Sequence, residues 1–410
     1  MVQREIAMKI AVIGLGFVGL VTSTVLAQYN EIMGIDTDKN KVDKLNNNDV
    51  YIYEPGLKEL FIKNRNRVNF YNNYENAKKA DIAFVCVPTP TINNKIDTSY
   101  VEKAVKSLSN VNDKIIIVIK STVVPGTASA LSGKINNSIL SNPEFLREGS
   151  AVNDTLHPDR IVIGGKNAED INIISKIWEF TNASLIKTTN ENAELIKYAS
   201  NSFLAVKISF INEIANLCQK IPNADVNVIA KAMGMDHRIG NEFLMAGIGF
   251  GGSCFPKDTR AIVSFARENG VELNIINDAI NVNNERIKTA LVLIEKAIGN
   301  LKGKRILLLG LSFKNNTNDL RESKSIELAN ELIEHGSIVC AYDPIIKEYH
   351  GIKMVESING YDYDCIVISS EWEEFKNNKI YNENKNIIDL RGIVDLHLYP
   401  KVRAIGIHYD

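Results

Sequence analysis

No apolar run in the chain approaches the roughly 20 residues that a transmembrane helix requires, so no membrane span is expected. Charge of one sign is also lacking. The chain has 47 Lys and Arg against 49 Asp and Glu, a net charge of −2 with both signs spread along its length. That balance argues against a nucleic-acid or membrane-surface partner. There is no Cys-x-x-Cys pair, and the five cysteines stand at wide spacings that suit neither a metal site nor a redox couple. No metal is expected. Nor does the start resemble a signal cleavage site, because Met8-Lys9-Ile10-Ala11-Val12-Ile13 leads straight into glycines; the expected location is the cytoplasm.

What remains, over 410 residues, is too much for one core and suggests two or three domains. The cysteines sort themselves by context. Cys86, Cys340 and Cys365 sit in short apolar runs that read as buried strands, and Cys218 sits in a helical pattern. Only Cys254 lies in a glycine-rich loop, Gly249-Phe250-Gly251-Gly252-Ser253-Cys254-Phe255-Pro256-Lys257-Asp258. The glycines free the backbone for unusual torsions and for close approach of a bulky ligand. A thiol becomes a nucleophile as thiolate, which a cation or a helix N-terminus favours. Lys257 and a helix beginning around Pro256 would supply both. Taken alone, the stretch reads equally well as a tight turn with an inert cysteine.

The run 8–13 is followed by Gly14-Leu15-Gly16-Phe17-Val18-Gly19 and then by an apolar helical segment. Strand, three spaced glycines and helix form the context that a dinucleotide fingerprint needs. Gly14 permits the tight turn, Gly16 lets a pyrophosphate approach, and Gly19 lets helix and strand pack closely. Glu31-Ile32-Met33-Gly34-Ile35-Asp36 reads as the next strand and ends in an acid about 20 residues on. Its carboxylate can accept from a ribose 2′-OH and would repel a 2′-phosphate, which favours NAD over NADP.

Further strands follow at 81–87 and 115–120, closed by Pro88-Thr89-Pro90-Thr91 and by Ser121-Thr122-Val123. Strands alternating with helical stretches imply a parallel sheet with right-handed crossovers. Loops at the carboxyl ends of such strands form the ligand crevice. In Ser141-Asn142-Pro143-Glu144-Phe145-Leu146-Arg147-Glu148-Gly149, a helix start would put Glu144 and Glu148 on one face. Such a pair is also commonly just solvated. His157-Pro158-Asp159-Arg160 reads as a turn without chemistry.

From 190 to about 221 the period becomes helical, with Leu195, Ala199, Phe203, Val206, Phe210, Ile214 and Leu217 at steps of three and four. About 30 residues make a rod near 45 Å, long enough to join two domains and to pair with a partner subunit. Lys197 and Asn201 are one turn apart on it. Another helix is expected over 271–298, ending near Gly299. A second α/β rhythm then begins at Gly303-Lys304-Arg305-Ile306-Leu307-Leu308-Leu309-Gly310, with Gly310-Leu311-Ser312-Phe313 in place of a fingerprint. It is expected to bind something other than the dinucleotide. Lys314 and Arg321 lie in the loop after its first strand, where phosphates of a sugar nucleotide or of the cofactor can be met.

Five motifs in order carry a resemblance: the fingerprint, Asn-Pro-Glu-Phe-Leu-x-Glu-Gly from 142, Lys-Tyr-Ala-x-Asn-x-Phe-Leu-Ala from 197, the cysteine loop, and Phe-Lys-x-x-Thr-x-Asp-x-Arg-Glu-Ser from 313. Together they resemble the nucleotide-sugar dehydrogenases of the UDP-glucose/GDP-mannose dehydrogenase family, in the manner of the UDP-glucose 6-dehydrogenases. The resemblance covers essentially the whole chain. It implies an α/β fold of two Rossmann-like doubly wound domains joined by a long central helix and a helical middle region. The implied division is an NAD-binding domain over 1–189, a central dimerisation region with the cysteine loop over 190–299, and a sugar-nucleotide domain over 300–410.

The resemblance also implies a reaction: oxidation of UDP-glucose at C6 to UDP-glucuronate, with two NAD and one water. Cys254 would be the nucleophile that holds the aldehyde as a thiohemiacetal and then as a thioester. Lys197 would stabilise negative charge on the C6 oxygen, with Asp258 assisting through water and Asn201 beside it. Glu144 would be the general base for thioester hydrolysis, on a water ordered by Thr122. NAD would meet Gly14, Gly16, Phe17, Val18, Gly19, Asp36, Lys41, Thr89, Thr122, Glu148, Lys257 and Arg321. The sugar nucleotide would meet Glu144, Phe145, Leu146, Lys197, Asn201, Phe243, Leu244, Met245, Ala246, Gly247, Gly251 and Lys314. Arg238 would reach it from the other subunit of a homodimer. Position 41 is Lys where some members have Arg, still a cation. Alternatives are the same chemistry on GDP-mannose or a UDP-N-acetylhexosamine, a two-electron hydroxyacid dehydrogenase, and a non-catalytic NAD-binding protein.

Overall fold

The computed structural model describes residues 8–359, 362–383 and 386–409. The chain forms two compact units, Met1–Ala199 and Ser200–Asp410. Each is built on one large, mainly parallel sheet, as the strand rhythm implies.

In the first unit the strands are β1 (Lys9–Ile13), β2 (Glu31–Ile35), β3 (Val68–Tyr71), β4 (Ile82–Val85), the hairpin pair β5 (Thr91–Ile92) and β6 (Lys95–Ile96), β7 (Ile116–Ile119), β8 (Ile139–Ser141), β9 (Arg160–Gly164) and β10 (Ser184–Thr188). The main sheet runs β10-β9-β8-β7-β4-β1-β2-β3. Its pairings are parallel except for β8 with β9. Near-continuous apolar runs form the inner strands β1, β4 and β7, whose two faces are covered. Alternate residues go to opposite faces: Ile10, Val12, Ile82 and Phe84 join one core cluster, and Ala11, Ile13, Ala83 and Val85 the other. Chain order reverses between β1 and β4, so the ligand crevice is expected outside their carboxyl ends. The β5–β6 hairpin turns on Asn93 and Asn94, both left-handed, as a two-residue turn demands.

In the second unit β11 (Arg305–Leu309), β12 (Ile338–Tyr342), β13 (Lys353–Met354), β14 (Cys365–Ile368), β15 (Asn386–Asp389) and β16 (Val402–Ala404) pair in the order β13-β12-β11-β14-β15-β16. In order of strands this is 3-2-1-4-5-6, the doubly wound plan. Ile306 and Leu308 face one cluster and Leu307 and Leu309 the other. The start of this sheet repeats a detail of the first. Leu15 N–H donates to Asp36 Oδ2 at 2.8 Å, and Leu311 N–H donates to Asp343 Oδ2 at the same distance. In both, a positive-φ glycine, Gly14 or Gly310, precedes the donor. The copies differ in what comes next: a helix begins at Phe17 in the first, but only at Lys324 in the second.

The chain passes from one unit to the other within the helix Asn190–Cys218, whose 29 residues match the expected rod. Ile221-Pro222 prevents its continuation. Its apolar stripe faces outward: Leu195, Phe203, Phe210 and Leu217 are all exposed, Phe203 at 63%. The buried side is rich in polar residues instead, among them Glu194, Lys197, Asn201, Ser202, Ser209 and Asn212. The helix Phe255–Glu268 begins as anticipated, with Cys254 at the N-cap and Pro256 in the first turn. The helix Asn274–Ile298 ends at Gly299, which has positive φ.

Candidate active site

Three clusters hold the candidate residues, two in the first unit and one in the second. The first is the fingerprint turn. Gly14 has φ +89°, and a Cβ there would stand 2.8 Å from Cys86 O. A Cβ on Gly19 would stand 1.8 Å from Gly14 O, so helix and turn pack too closely for any side chain. At Gly16 a Cβ would meet nothing within 4 Å. The backbone there opens on free space at the N-cap of the helix Phe17–Leu26, which has no side-chain cap. Such an uncapped N-terminus, with its first-turn N–H groups and its dipole, suits a pyrophosphate.

Asp36 follows β2, and its two oxygens take one N–H each, Leu15 on Oδ2 and Asp38 on Oδ1. Each oxygen retains a lone pair for a ribose hydroxyl. Lys41 Nζ stands 3.7 Å from Asp36 Oδ2. Phe17 and Val18 are half-buried on the core cluster below. Thr89 lies in the loop after β4 and Thr122 in the loop after β7, both at the carboxyl edge. This cradle fits NAD.

The second cluster centres on Glu144 and Lys197, both almost fully buried, with Nζ 2.9 Å from Oε1. Glu144 Oε2 accepts Leu146 N–H at 2.6 Å. The Lys197 ammonium stands 5.5 Å from the centre of the Phe145 ring, which Arg160 also covers. Burial acts to raise the Glu144 carboxyl. The Lys197 charge and hydrogen bond, the Leu146 N–H and the Lys120 charge outweigh it, and the carboxyl lies below its ordinary range. Segment 142–147 is not helical, so the shared face expected for Glu144 and Glu148 does not form. Pro143 holds Asn142 extended, and the Glu144 side chain turns back onto its own backbone. Glu148 sits half-buried in the turn that follows, before Gly149 with φ +82°.

The third cluster is the cysteine loop. Gly249 and Gly252 have positive φ, and a Cβ on Gly251 would fall 2.2 Å from Glu322 O. Asn283 receives Phe250 N–H and donates to Phe250 O, at 2.7 and 3.0 Å. Arg286 Nε donates to Gly247 O, and Asn212 Oδ1 accepts Gly247 N–H. The loop is thus tied to two helices by three buried polar side chains. Cys254 Sγ is partly exposed, 3.6 Å from Ser253 Oγ. Asp258, wholly buried, is held by Asn201 Nδ2 at 2.7 Å and by Lys257 Nζ at 2.5 Å. Lys257 therefore directs its ammonium at Asp258.

The remaining candidates of this unit line the loop's surroundings. Gly252 N–H donates to Arg321 O, which joins the loop to the segment that follows β11. Arg321 forks onto Asp319, and Lys314 stands over the Phe313 ring. Phe243 has φ +65° and packs against Phe255; Leu244 and Ala246 are buried, whereas Met245 is exposed. Gly247 passes close to the Leu390 backbone, where even a Cβ would be tight. Arg238 lies on an exposed turn, forked onto Asp236.

The UDP-glucose/GDP-mannose dehydrogenase family matches in three parts: its NAD binding domain at 8–182, its central domain at 191–285 and its UDP binding domain at 307–396. The chain belongs to this family. UDP-glucose 6-dehydrogenase TuaD of Bacillus subtilis is 39% identical over 98% of this chain and 92% of the relative. UDP-glucose 6-dehydrogenase of Rickettsia bellii is 40% identical over 98% of each. A UDP-glucose dehydrogenase structure from Pyrobaculum islandicum superposes with a TM-score of 0.93, at 32% identity over the whole of both chains. This dehydrogenase is accordingly an oxidoreductase with NAD as its cofactor. Among the described residues no helix is long and apolar enough to cross a membrane, and no group of side chains could hold a metal ion.

The dehydrogenase also buries charged residues that the sequence did not single out. Lys120, buried at the end of β7, stands 3.4 Å from Asn142 Oδ1 and 4.8 Å from the centre of the Trp178 ring. Burial lowers it to about 8, although Cys86 and Glu144 act to raise it. Burial raises Glu194 to about 7, against donation from Ala128, Gly126 and Ser141. Burial likewise lowers Arg286 to about 10. The available signal was a charge inside an apolar strand or helix pattern, as at Lys120 in Ile115-Ile116-Ile117-Val118-Ile119-Lys120. The other four cysteines are held as thiols: burial pushes Cys86 up to about 12 and raises Cys218, Cys340 and Cys365. Cys340 is half-buried, less enclosed than its strand pattern implied.

Removing one member of a buried ion pair strands the other. Lys197→Met and Glu144→Gln are each expected to lower stability by about 3–5 kcal/mol, with the double variant well short of the sum. The pair's contribution is complete above the ordinary carboxylate range, about 4.3, and is lost as pH falls through the lowered value for Glu144. Urea titrations from pH 7 down to pH 3 should therefore show the gap between native and Glu144→Gln closing on acidification; a constant gap contradicts the pairing.

Proposed function

We propose that this dehydrogenase oxidises UDP-glucose at C6 to UDP-glucuronate through a covalent cysteine intermediate. The observation that carries the proposal is the cysteine loop, a partly exposed thiol at a helix N-terminus, one turn before the buried Asp258 that Asn201 and Lys257 hold. The substrate assignment draws support from the two 6-dehydrogenase relatives and the Pyrobaculum structure. NAD, when bound, takes up the two electrons and the hydrogen released at C6 in each oxidation.

The first oxidation turns the C6 alcohol into an aldehyde and releases a proton. Cys254 Sγ then forms a bond to C6, and the carbonyl π pair moves onto oxygen. Lys197 stabilises that oxygen, with Asn201 beside it and Asp258 handling its proton through water. The second oxidation restores the C=O bond and leaves C6 as a thioester. Glu144, held ionised by Lys197, takes a proton from a water ordered by Thr122. The hydroxide adds to C6, the C–S bond breaks, and Cys254 leaves as thiolate. A two-electron hydroxyacid dehydrogenase would not need the thiol. A non-catalytic NAD-binding protein would have no use for a buried Glu144–Lys197 pair.

By the same reading, NAD meets Glu148, Lys257 and Arg321 besides the fingerprint, Asp36, Lys41, Thr89 and Thr122. The sugar nucleotide meets Phe145, Leu146, the 243–247 segment, Gly251 and Lys314. The three functional regions run over 1–189, 190–299 and 300–410. A cytoplasmic setting suits five free cysteines. A homodimer around the long helix would cover its outward stripe, in which Phe203, Phe210 and Leu217 recur every seven residues. Arg238, on its exposed turn, would reach the other subunit's sugar nucleotide.

NADH counted against sugar tests the reaction. UDP-glucose should yield two NADH per molecule, with GDP-mannose and UDP-N-acetylglucosamine inert; turnover of another sugar nucleotide at the same ratio moves the substrate, and one NADH per sugar removes the thioester. Sedimentation tests the assembly. The native chain should be a dimer and Phe203→Glu/Phe210→Glu a monomer with native circular dichroism; a native monomer contradicts the interface.

A further inference from the structure

One turn before Lys197, the long helix carries a second buried acid. Glu194 is 3% exposed. Residues three apart on a helix share a face, so Glu194 and Lys197 look the same way. Glu194 Oε2 accepts Gly126 N–H at 2.6 Å; Oε1 accepts Ala128 N–H at 2.9 Å and Ser141 Oγ–H at 3.0 Å. The two N–H donors lie in the segment that follows Thr122, and Ser141 ends β8 just before Pro143 and Glu144. Thr122, Ser141, Pro143, Glu194 and Lys197 line one small cavity. No role described above uses Glu194.

A carboxylate gripping these donors holds two loops against the helix turn that presents Lys197. One loop carries Thr122 and the other carries Glu144. Glu194 grips the element beside each loop: Gly126 and Ala128 open the short helix Thr127–Ser132 that follows the Thr122 loop, and Ser141 ends β8 where the Glu144 loop begins. We propose that Glu194 is a positioning residue, whose three hydrogen bonds fix Thr122 and Glu144 relative to the Lys197 ammonium. The inference rests on the roles proposed above for those three residues. A glutamine of the same shape cannot reproduce the grip, because its NH2 group meets an N–H donor where the carboxylate had an acceptor.

The test pairs two measurements on Glu194→Gln in the full chain. In substrate-free protein, hydrogen exchange at the Gly126 and Ala128 amides should rise about 10-fold or more over the native chain. In turnover of UDP-glucose with NAD, kcat should fall about 10- to 100-fold while KM stays within about threefold, because orientation is lost and binding is kept. A merely structural role predicts a lower melting temperature with unchanged kcat per folded molecule. Unchanged exchange, or raised exchange with native kcat, overturns the proposal. If the native chain turns over no nucleotide sugar, the reading of the reaction fails and the exchange result alone decides this one. Should Glu194→Gln not fold, Ser141→Ala removes one of the three bonds and should lower kcat in the same direction, less steeply; native kcat there overturns the proposal.

Discussion

Charge taken out of water has to find charge or hydrogen bonds inside the protein, and the first unit is arranged around that requirement. Desolvating a carboxylate or an ammonium costs on the order of several kcal/mol per ion even after relaxation. Glu144 and Lys197 meet the requirement with each other, supported by Leu146 N–H and by Lys120 at a distance. The pair needs Pro143 to hold its strand exit extended and the long helix to bring Lys197 alongside. Moving either element would leave a buried charge alone. In the proposed reaction the same arrangement serves catalysis, because a lysine fixed in a dry site stabilises new negative charge without first reorganising.

The second unit meets the problem differently. At the cysteine loop neutral amides do much of the holding: Asn212 and Asn283 bond its backbone, together with Arg286. They allow a segment of positive-φ glycines to lie rigidly against two helices. The sheets themselves share one plan, down to the aspartate that closes the first turn. In the first unit Asp36 closes that turn with oxygens left for a ribose and a helix starting at once. In the second, Asp343 also takes Ser312, Ile345 and Ile346, leaving little for a ligand, and a long segment precedes the helix. One fold, begun twice, presents a dinucleotide cradle in one copy and a different binding edge in the other.

Local features were legible in the sequence. The glycine fingerprint, the strands as apolar runs, the helix after Pro256 and the extent of the long helix all depend on residues near one another in the chain. Features set by distant partners were not. Nothing within the Glu144 segment predicts that Lys197 will come to it, and a helical reading overlooked what Pro143 imposes on Asn142. The apolar stripe from Leu195 to Leu217 was visible, but its outward direction follows from polar residues packing on the other side. Lys120, Glu194, Asn283 and Arg286 read as ordinary polar residues until burial shows each with its partners.

In the proposed reaction C6 passes through an acyl group on Cys254 that Glu144 releases. Glu144→Gln should retain thiol and fold while losing the base, so the acyl group should accumulate. Mixing that variant with UDP-glucose and NAD, quenching in acid and mapping the peptides by mass spectrometry tests this directly. One UDP-glucuronoyl group, joined through C6, is expected on the peptide containing Cys254, and none when Cys254→Ala is added. An unmodified Cys254 peptide, with UDP-glucuronate released at the native rate, would contradict it.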